Sequence, residues 1–393
     1  MLHLSRPRRA ATLLAASVTA LALAAGQGPT ASAAPAAPGP GNGVPQVSDL
    51  GPTSFAGPGP YAVGERTLKL PSGAKLEVWY PARKADVKGK PIGTYDLVDW
   101  LPSFLTVGLP PGTSVTYPSG GVRGVPVANK SFPLAVFSHG YAGFRTQSSF
   151  LTAAMASWGF VVAAPDHNSR SLTQVLLGPK GTTTDVQDLR ATITMIGQKD
   201  RARKGWLAGH VDMAHIGAVG HSAGGRAVEN LAVVDKRVDT FIGLAGASVG
   251  ALDDTAPEVP DQPGLLMAAT DDGIVSLAKM EQAYADMAAP KRIVLVGGAG
   301  HLVFSDLCEI GASEGGLLAV AAAVGITVPP QLIPLATDGC AAPALPPPDA
   351  WPAIDQVVIA QLRHVLGYDR SAAGLTGLTD AFPGILTDSR SEG

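Results

Sequence analysis

The stretch "HIGAVGHSAGGRAVENLAVV", residues 215–234, sets the reading of the whole chain. Gly220, Ser222 and Gly224 make a G-x-S-x-G pattern inside it. In a chain with 47 glycines that pattern arises by chance about 0.3 times, so alone it says little. "GASVG", Gly246 to Gly250, matches equally well around Ser248. Context separates the two. Ser222 follows a short apolar run of strand character and precedes a helical pattern. Strand, one sharp turn and helix is the arrangement that holds a serine hydroxyl exposed on a strained backbone. Glycines at 220 and 224 relieve crowding, and the helix N-terminus favours developing negative charge. The acids and prolines after Ser248, in "GALDDTAPEVPD", offer no helix to complete such a turn. Ser222 is therefore the candidate nucleophile.

Working outward, "RTLKL" and "KLEVWYP" flank "PSG" and read as a hairpin. "PLAVFSHG", "GFVVAAPDH", "HIGAVGHS", "VDTFIGLAG", "GLLMAATDD" and "RIVLVGGAG" follow, apolar enough for strands buried on both faces. Helical patterns lie between them at Gln147 to Trp158, Thr184 to Leu207, Gly224 to Val234 and Val275 to Ala289, with a last one in "WPAIDQVVIAQLRHVLGY". Alternating strands and helices predict an α/β protein with a mainly parallel, eight-stranded sheet flanked by helices and opening on an antiparallel pair. That is the α/β-hydrolase arrangement. Residues 82–131 and 302–349 break the alternation and read as insertions. The first, with "YDLVDWLPSFLTVGLPPG", reads either as a lid or substrate wall or as plain core packing.

"MLHLSRPRRA", an apolar run of about 16 residues and small residues at an A-x-A position read as a signal peptide over 1–33, cut after Ala33 or Ala34. The run is shorter than the roughly 20 residues of a membrane span. A Pro/Gly/Ala-rich leader over 34–58 is expected to be disordered, the catalytic domain to occupy 59–368, and 369–393 to be a tail. The expected location is extracellular. Cys308 and Cys340 fit an exported chain, in which a disulfide closing about 33 residues adds roughly 3–4 kcal/mol. A formal net charge of −3 gives no electrostatic reason for nucleic acid as a partner. Two widely spaced cysteines lack metal-ligand spacing.

A serine hydroxyl needs a base, and the base an orienting acid, in the chain order serine, acid, histidine. After Ser222 only His301 and His364 remain. His364 sits in the last helical pattern, whereas His301 follows the last strand in a glycine-rich loop, so His301 is the candidate base. "ATDDGIV" ends a strand with Asp271 and Asp272 about 30 residues earlier. Asp272 is preferred, Asp271 is second, and Asp253 and Asp254 are outside candidates. Backbone N–H groups of Ala223 and Tyr141 are the expected oxyanion donors. His139, Asp166 and His167 read as structural.

"AVFSHGYAGFRTQ", "GFVVAAPDHNSRS", "DLRATI", "GHSAGG" and "HLVFSD" together resemble the platelet-activating-factor acetylhydrolase and dienelactone hydrolase group, from about Pro60 to His364. The resemblance implies calcium-independent hydrolysis of short or modified acyl esters. It supports Ser222 and His301, with Tyr141 and Ala223 as donors. One departure stands: where the acetylhydrolases carry their acid after the strand matching "VDTFIGLAG", this chain has Gly and Ala. "ATDDGIV" instead is similar to the acid loop of bacterial cutinases and polyester hydrolases. The expectation is a secreted serine ester hydrolase working without metal or organic cofactor on a small-molecule or lipid ester. The alternatives are a lipase or cutinase-like polyester hydrolase, and a non-catalytic binding protein of the same fold.

Overall fold

A computed structural model describes residues 43–178, 181–247 and 259–393. The expected signal peptide, Ser248, Asp253 and Asp254 lie outside them.

Twelve strands are present among the described residues: β1 (Ala62–Lys69), β2 (Lys75–Ala82), β3 (Thr94–Asp96), β4 (Thr116–Pro118), β5 (Val122–Arg123), β6 (Phe132–Ser138), β7 (Val161–Pro165), β8 (Val211–His221), β9 (Thr240–Leu244), β10 (Gly264–Ala269), β11 (Lys291–Val296) and β12 (Leu386–Glu392). Ten form one sheet in the order β12-β11-β10-β9-β8-β6-β7-β2-β1-β5. The eight expected strands are all in it. Pairing is antiparallel for β1 with β2 and for β2 with β7, and parallel from β7 through to β11. The sheet is larger than expected by one strand at each edge. β5 lies along β1, and β12 runs antiparallel to β11 from Val296 to Lys291.

β12 corrects the reading of 369–393 as a tail. Its sequence, "LTDSRSE", has no apolar strand pattern; backbone pairing to the edge of β11 makes it a strand, and its charges face solvent there. The leader needs a similar correction. From residue 43 it is packed rather than disordered: Phe55 is fully buried, its N–H bonded to Gln356 Oε1 at 2.6 Å and its ring edge-on to Trp158 at 4.9 Å. Neither contact partner is close in sequence, so composition alone could not show it.

Neighbouring strand residues point to opposite faces, and each face has its own core. Trp79, Phe137, Val219, Leu244 and Met267 pack on one side beneath the helices Ser149–Ser157 and Pro347–Val365. Val78, Val136, Ala218, Phe241 and Leu266 pack on the other beneath Asp185–Asp200, Ala223–Val234 and Leu277–Asp286. The helix expected to reach Leu207 stops at Asp200. Its start is fixed by a capping box, in which Thr184 accepts from the Gln187 N–H and Gln187 accepts from the Thr184 N–H.

The two insertions carry structure of their own. β3 pairs with β4 in the first. The second holds the short helices Leu317–Ala323 and Ile333–Thr337 and a disulfide between Cys308 and Cys340.

Replacing Phe55 by Ala tests the packed leader. The expected cost is about 3–5 kcal/mol in denaturant unfolding, the usual loss for a buried phenylalanine. A change below about 0.5 kcal/mol would show that 43–58 does not belong to the cooperative fold.

Candidate active site

Ser222 sits between the end of β8 and the helix Ala223–Val234 with φ 57° and ψ −123°. A non-glycine residue in the left-handed region costs on the order of 1–3 kcal/mol and persists only where its surroundings enforce it. Here they do. A Cβ on Gly220 would lie 2.1 Å from the Gly224 carbonyl oxygen, and one on Gly224 would lie 2.0 Å from the Ser138 carbonyl oxygen. The three backbones touch, leaving the turn no room to relax. Ser222 N–H donates to Leu244 O at 2.8 Å, anchoring the turn to β9.

Among the described residues, the other non-glycine positive φ values belong to Ala142 and Ala245. These follow β6 and β9, the two neighbours of β8 in the sheet. Strain is therefore gathered at the carboxyl edge of three adjacent strands, where open α/β sheets place their ligands.

Of the two adjacent acids, Asp272 faces the histidine. His301 Nδ1 donates to Asp272 Oδ2 at 2.8 Å, and both side chains are almost fully buried. Asp272 Oδ1 accepts from the N–H groups of Ile274 and Val275 at 2.8 and 2.7 Å, which locks the carboxylate. Asp271 is exposed, and its carboxylate accepts from the neighbouring Thr270 hydroxyl. Ser222 is 9% exposed and His301 1%, so both lie largely enclosed at this edge.

Three residues without an assigned role in the sequence hold this geometry. His221, beside Ser222, accepts from Gln147 Nε2 at Nδ1 (2.8 Å) and donates from Nε2 to His301 O (3.1 Å). Gln147 Oε1 accepts from Gly140 N–H at 3.1 Å. One chain of hydrogen bonds thus joins the loop bearing Tyr141, the serine turn and the histidine loop. Asp338, in the second insertion, is the third. Its Oδ1 accepts from His301 N–H at 2.6 Å, its Oδ2 from Gly273 N–H at 3.2 Å, and its carbonyl from Leu302 N–H at 3.2 Å. His221 was visible as the variable position of the G-x-S-x-G pattern. Asp338 gave no signal beyond lying two residues before Cys340.

Tyr141 is half-exposed, in a loop pinned from below by Arg170. The Arg170 guanidinium donates to Gly140 O at 2.7 Å and to Ser138 Oγ at 2.9 Å, and pairs with Asp185 at 2.5 Å. Ala142 N–H donates to Arg170 O. Ala223 opens its helix, so its N–H has no partner within the helix. His139 and His167 are buried in this packing: His139 Nε2 accepts from His167 N–H, and His167 Nε2 meets Ser138 Oγ. Asp166 pairs with Arg145 at 2.9 Å, and His364 Nδ1 donates to Asp369 O at 3.2 Å.

The family model for platelet-activating factor acetylhydrolase, isoform II, matches residues 56–203. A solved ferulic acid esterase from Streptomyces cinnamoneus is similar over 84% of this chain and 98% of its own, with a TM-score of 0.56 and 20% identity. The likeness shows an α/β-hydrolase fold, and the acetylhydrolase match is confined to residues 56–203, less than half of the chain. In this α/β-hydrolase the family match takes in the loop with Tyr141, whereas Ser222, Asp272 and His301 lie beyond it.

Burial drives the imidazoles of His139, His167 and His221 below the usual value of 6.5, aided by the charge of Arg170 for the first two and by His301 for the third. The unfolded chain then binds protons near pH 6.5 that the folded chain refuses. Their stabilisation is complete above pH 6.5 and is lost as pH falls towards the folded values. Each histidine contributes a slope of about 1.4 kcal/mol per pH unit. His221→Gln keeps a donor and an acceptor but cannot titrate. Its unfolding free energy should fall less steeply than the parent's between pH 6.5 and 5; equal slopes would overturn the assignment of a neutral buried His221.

Proposed function

We infer that the chain is a serine-type carboxylic ester hydrolase, a reading supported by the acetylhydrolase match over residues 56–203 and by the esterase-like fold. We propose that Ser222 is its nucleophile, His301 its general base and Asp272 the acid that orients the base. The observation that carries this reading is the enforced φ of 57° at Ser222, at the same sheet edge as the His301–Asp272 pair. In the scheme Ser222 Oγ attacks the ester carbonyl while His301 Nε2 takes its proton. Asp272 fixes the imidazole with Nδ1 protonated and stabilises the imidazolium as it forms. The amides of Ala223 and Tyr141 donate to the tetrahedral oxyanion. His301 then protonates the departing alkoxide, and water, deprotonated by His301, releases the acid from the acyl-enzyme.

We also infer export, with cleavage after Ala33 or Ala34. The charged-then-apolar N-terminal pattern and the Cys308–Cys340 disulfide support it. Among the described residues no helix is long and apolar enough to cross a membrane.

On p-nitrophenyl acetate, Ser222→Ala is expected to lower kcat by at least about 10³-fold and to abolish labelling by a fluorophosphonate. Asp272→Asn should cost about 10³–10⁴-fold, by analogy with other triads, and Asp271→Asn only a few-fold. Parent-like turnover by Ser222→Ala would overturn the nucleophile, and the reverse ranking of the aspartates would overturn the acid. N-terminal sequencing of protein recovered from culture medium should start near Ala34 or Pro35; an intact Met1 there would refute cleavage.

A further inference from the structure

Beside the loop carrying Tyr141 lies a cavity of about 370 Å³ built from both insertions. The first contributes Leu97, Leu101 and Leu105, the second Leu317, Ala321 and Leu335, and Tyr141 and Ala142 also line it. None of its lining residues is charged. Ser222 and His301 do not line it, so the cavity is a compartment next to the reacting centre rather than the centre itself. Its contact with the centre is Tyr141, whose amide is the proposed oxyanion donor.

A void of this size with such a wall has a physical cost. Water inside it would find few hydrogen-bond partners, and the facing side chains forgo contact with one another. An apolar occupant removes both penalties. The surrounding surface points the same way. Phe104, which lines the cavity, is 62% exposed, and Val107, three residues on, is 86% exposed. Leu177 and Ile333, beside the lining residues Leu176 and Leu332, are exposed as well. Exposed apolar side chains are expected singly on any protein; here they gather in the segments that build one cavity.

We propose that this cavity holds the hydrocarbon chain of the ester whose carbonyl is attacked by Ser222. The inference rests on the catalytic reading above and adds the substrate class: esters with an extended alkyl chain. Counting a methylene near the roughly 30 Å³ of a water molecule, the space takes a chain of about twelve carbons. Burying each methylene contributes about 0.8 kcal/mol, close to a four-fold gain in kcat/KM per carbon until the cavity is full. The walls come from both insertions. Either alone would leave the chain half in water.

The test uses the whole protein and two substrate series, p-nitrophenyl esters from acetate to decanoate and alkyl acetates from ethyl to decyl. The parent should show kcat/KM climbing with chain length in one series, and that series tells whether the acyl or the alcohol side is housed. Ala321→Trp, which fills the cavity from the helix Leu317–Ala323, should flatten the climb. Binding of a dansyl-labelled undecanoic acid to Ser222→Ala protein, followed by fluorescence, gives a readout free of catalysis. It should be saturable and should weaken at least ten-fold when Ala321→Trp is added. Identical chain-length profiles in parent and Ala321→Trp, or equal probe binding, would overturn the cavity assignment while leaving Ser222 in place. Undiminished acetate turnover by Ser222→Ala would instead sink the catalytic reading, with the probe still reporting on the cavity.

Discussion

Three backbones meet under Ser222 with no side chain between them, and the rest of the site depends on that contact. Gly220 and Gly224 close the turn, Ser138 O from β6 presses against it, and Leu244 O from β9 takes the Ser222 amide. Any Cβ at either glycine would force the strand and the helix apart. With them in place, the chain has one way to pass from β8 into the helix, and that path leaves the serine hydroxyl at the sheet edge. The strain at Ser222 is sustained by packing distributed over β6, β8 and β9, the most enclosed part of the sheet.

Around this rigid centre buried polar groups are wired to each other. His221, Gln147 and the Gly140 amide form one hydrogen-bond chain, and Arg170 ties the neighbouring carbonyls to Asp185. Such networks stabilise only when every member is satisfied. Keeping His221 neutral is part of that condition, since a second ring proton would meet the Gln147 amide donor. Asp306 does comparable work further out. Burial pushes its carboxyl up to about 7, and it accepts from the Ser149 and Phe150 amides and from the Tyr95 hydroxyl. Through Tyr95 it fastens the first insertion to the body of the protein.

The eight central strands were legible because each is a short apolar run closed by Gly, Pro or a polar turn, and the serine turn because its flanks change from strand to helix character. The His301–Asp272 pairing could be reached from chain order and from strand-end position, though the choice between Asp271 and Asp272 needed the direction of each side chain. What the sequence hid shares one property: the partner is remote. β12 is polar and becomes a strand only against β11. Phe55 sits in a stretch of disordered composition and is buried by Gln356, some 301 residues away. Asp338 lies in an insertion without regular pattern, and nothing local says that its carboxylate reaches two separate loops.

Asp338 also gives the second insertion a mechanical meaning. The helix Ile333–Thr337 presents Leu335 and Ala336 to the apolar cavity and ends at Asp338, whose carboxylate grips the His301 amide. Cys340, two residues on, is stitched to Cys308 on the far side of the histidine loop. Wall and base loop are thus one lever with a covalent fulcrum. The segment that walls the cavity and the loop that presents the His301 imidazole to Asp272 therefore share one brace, a hydrogen bond backed by a disulfide.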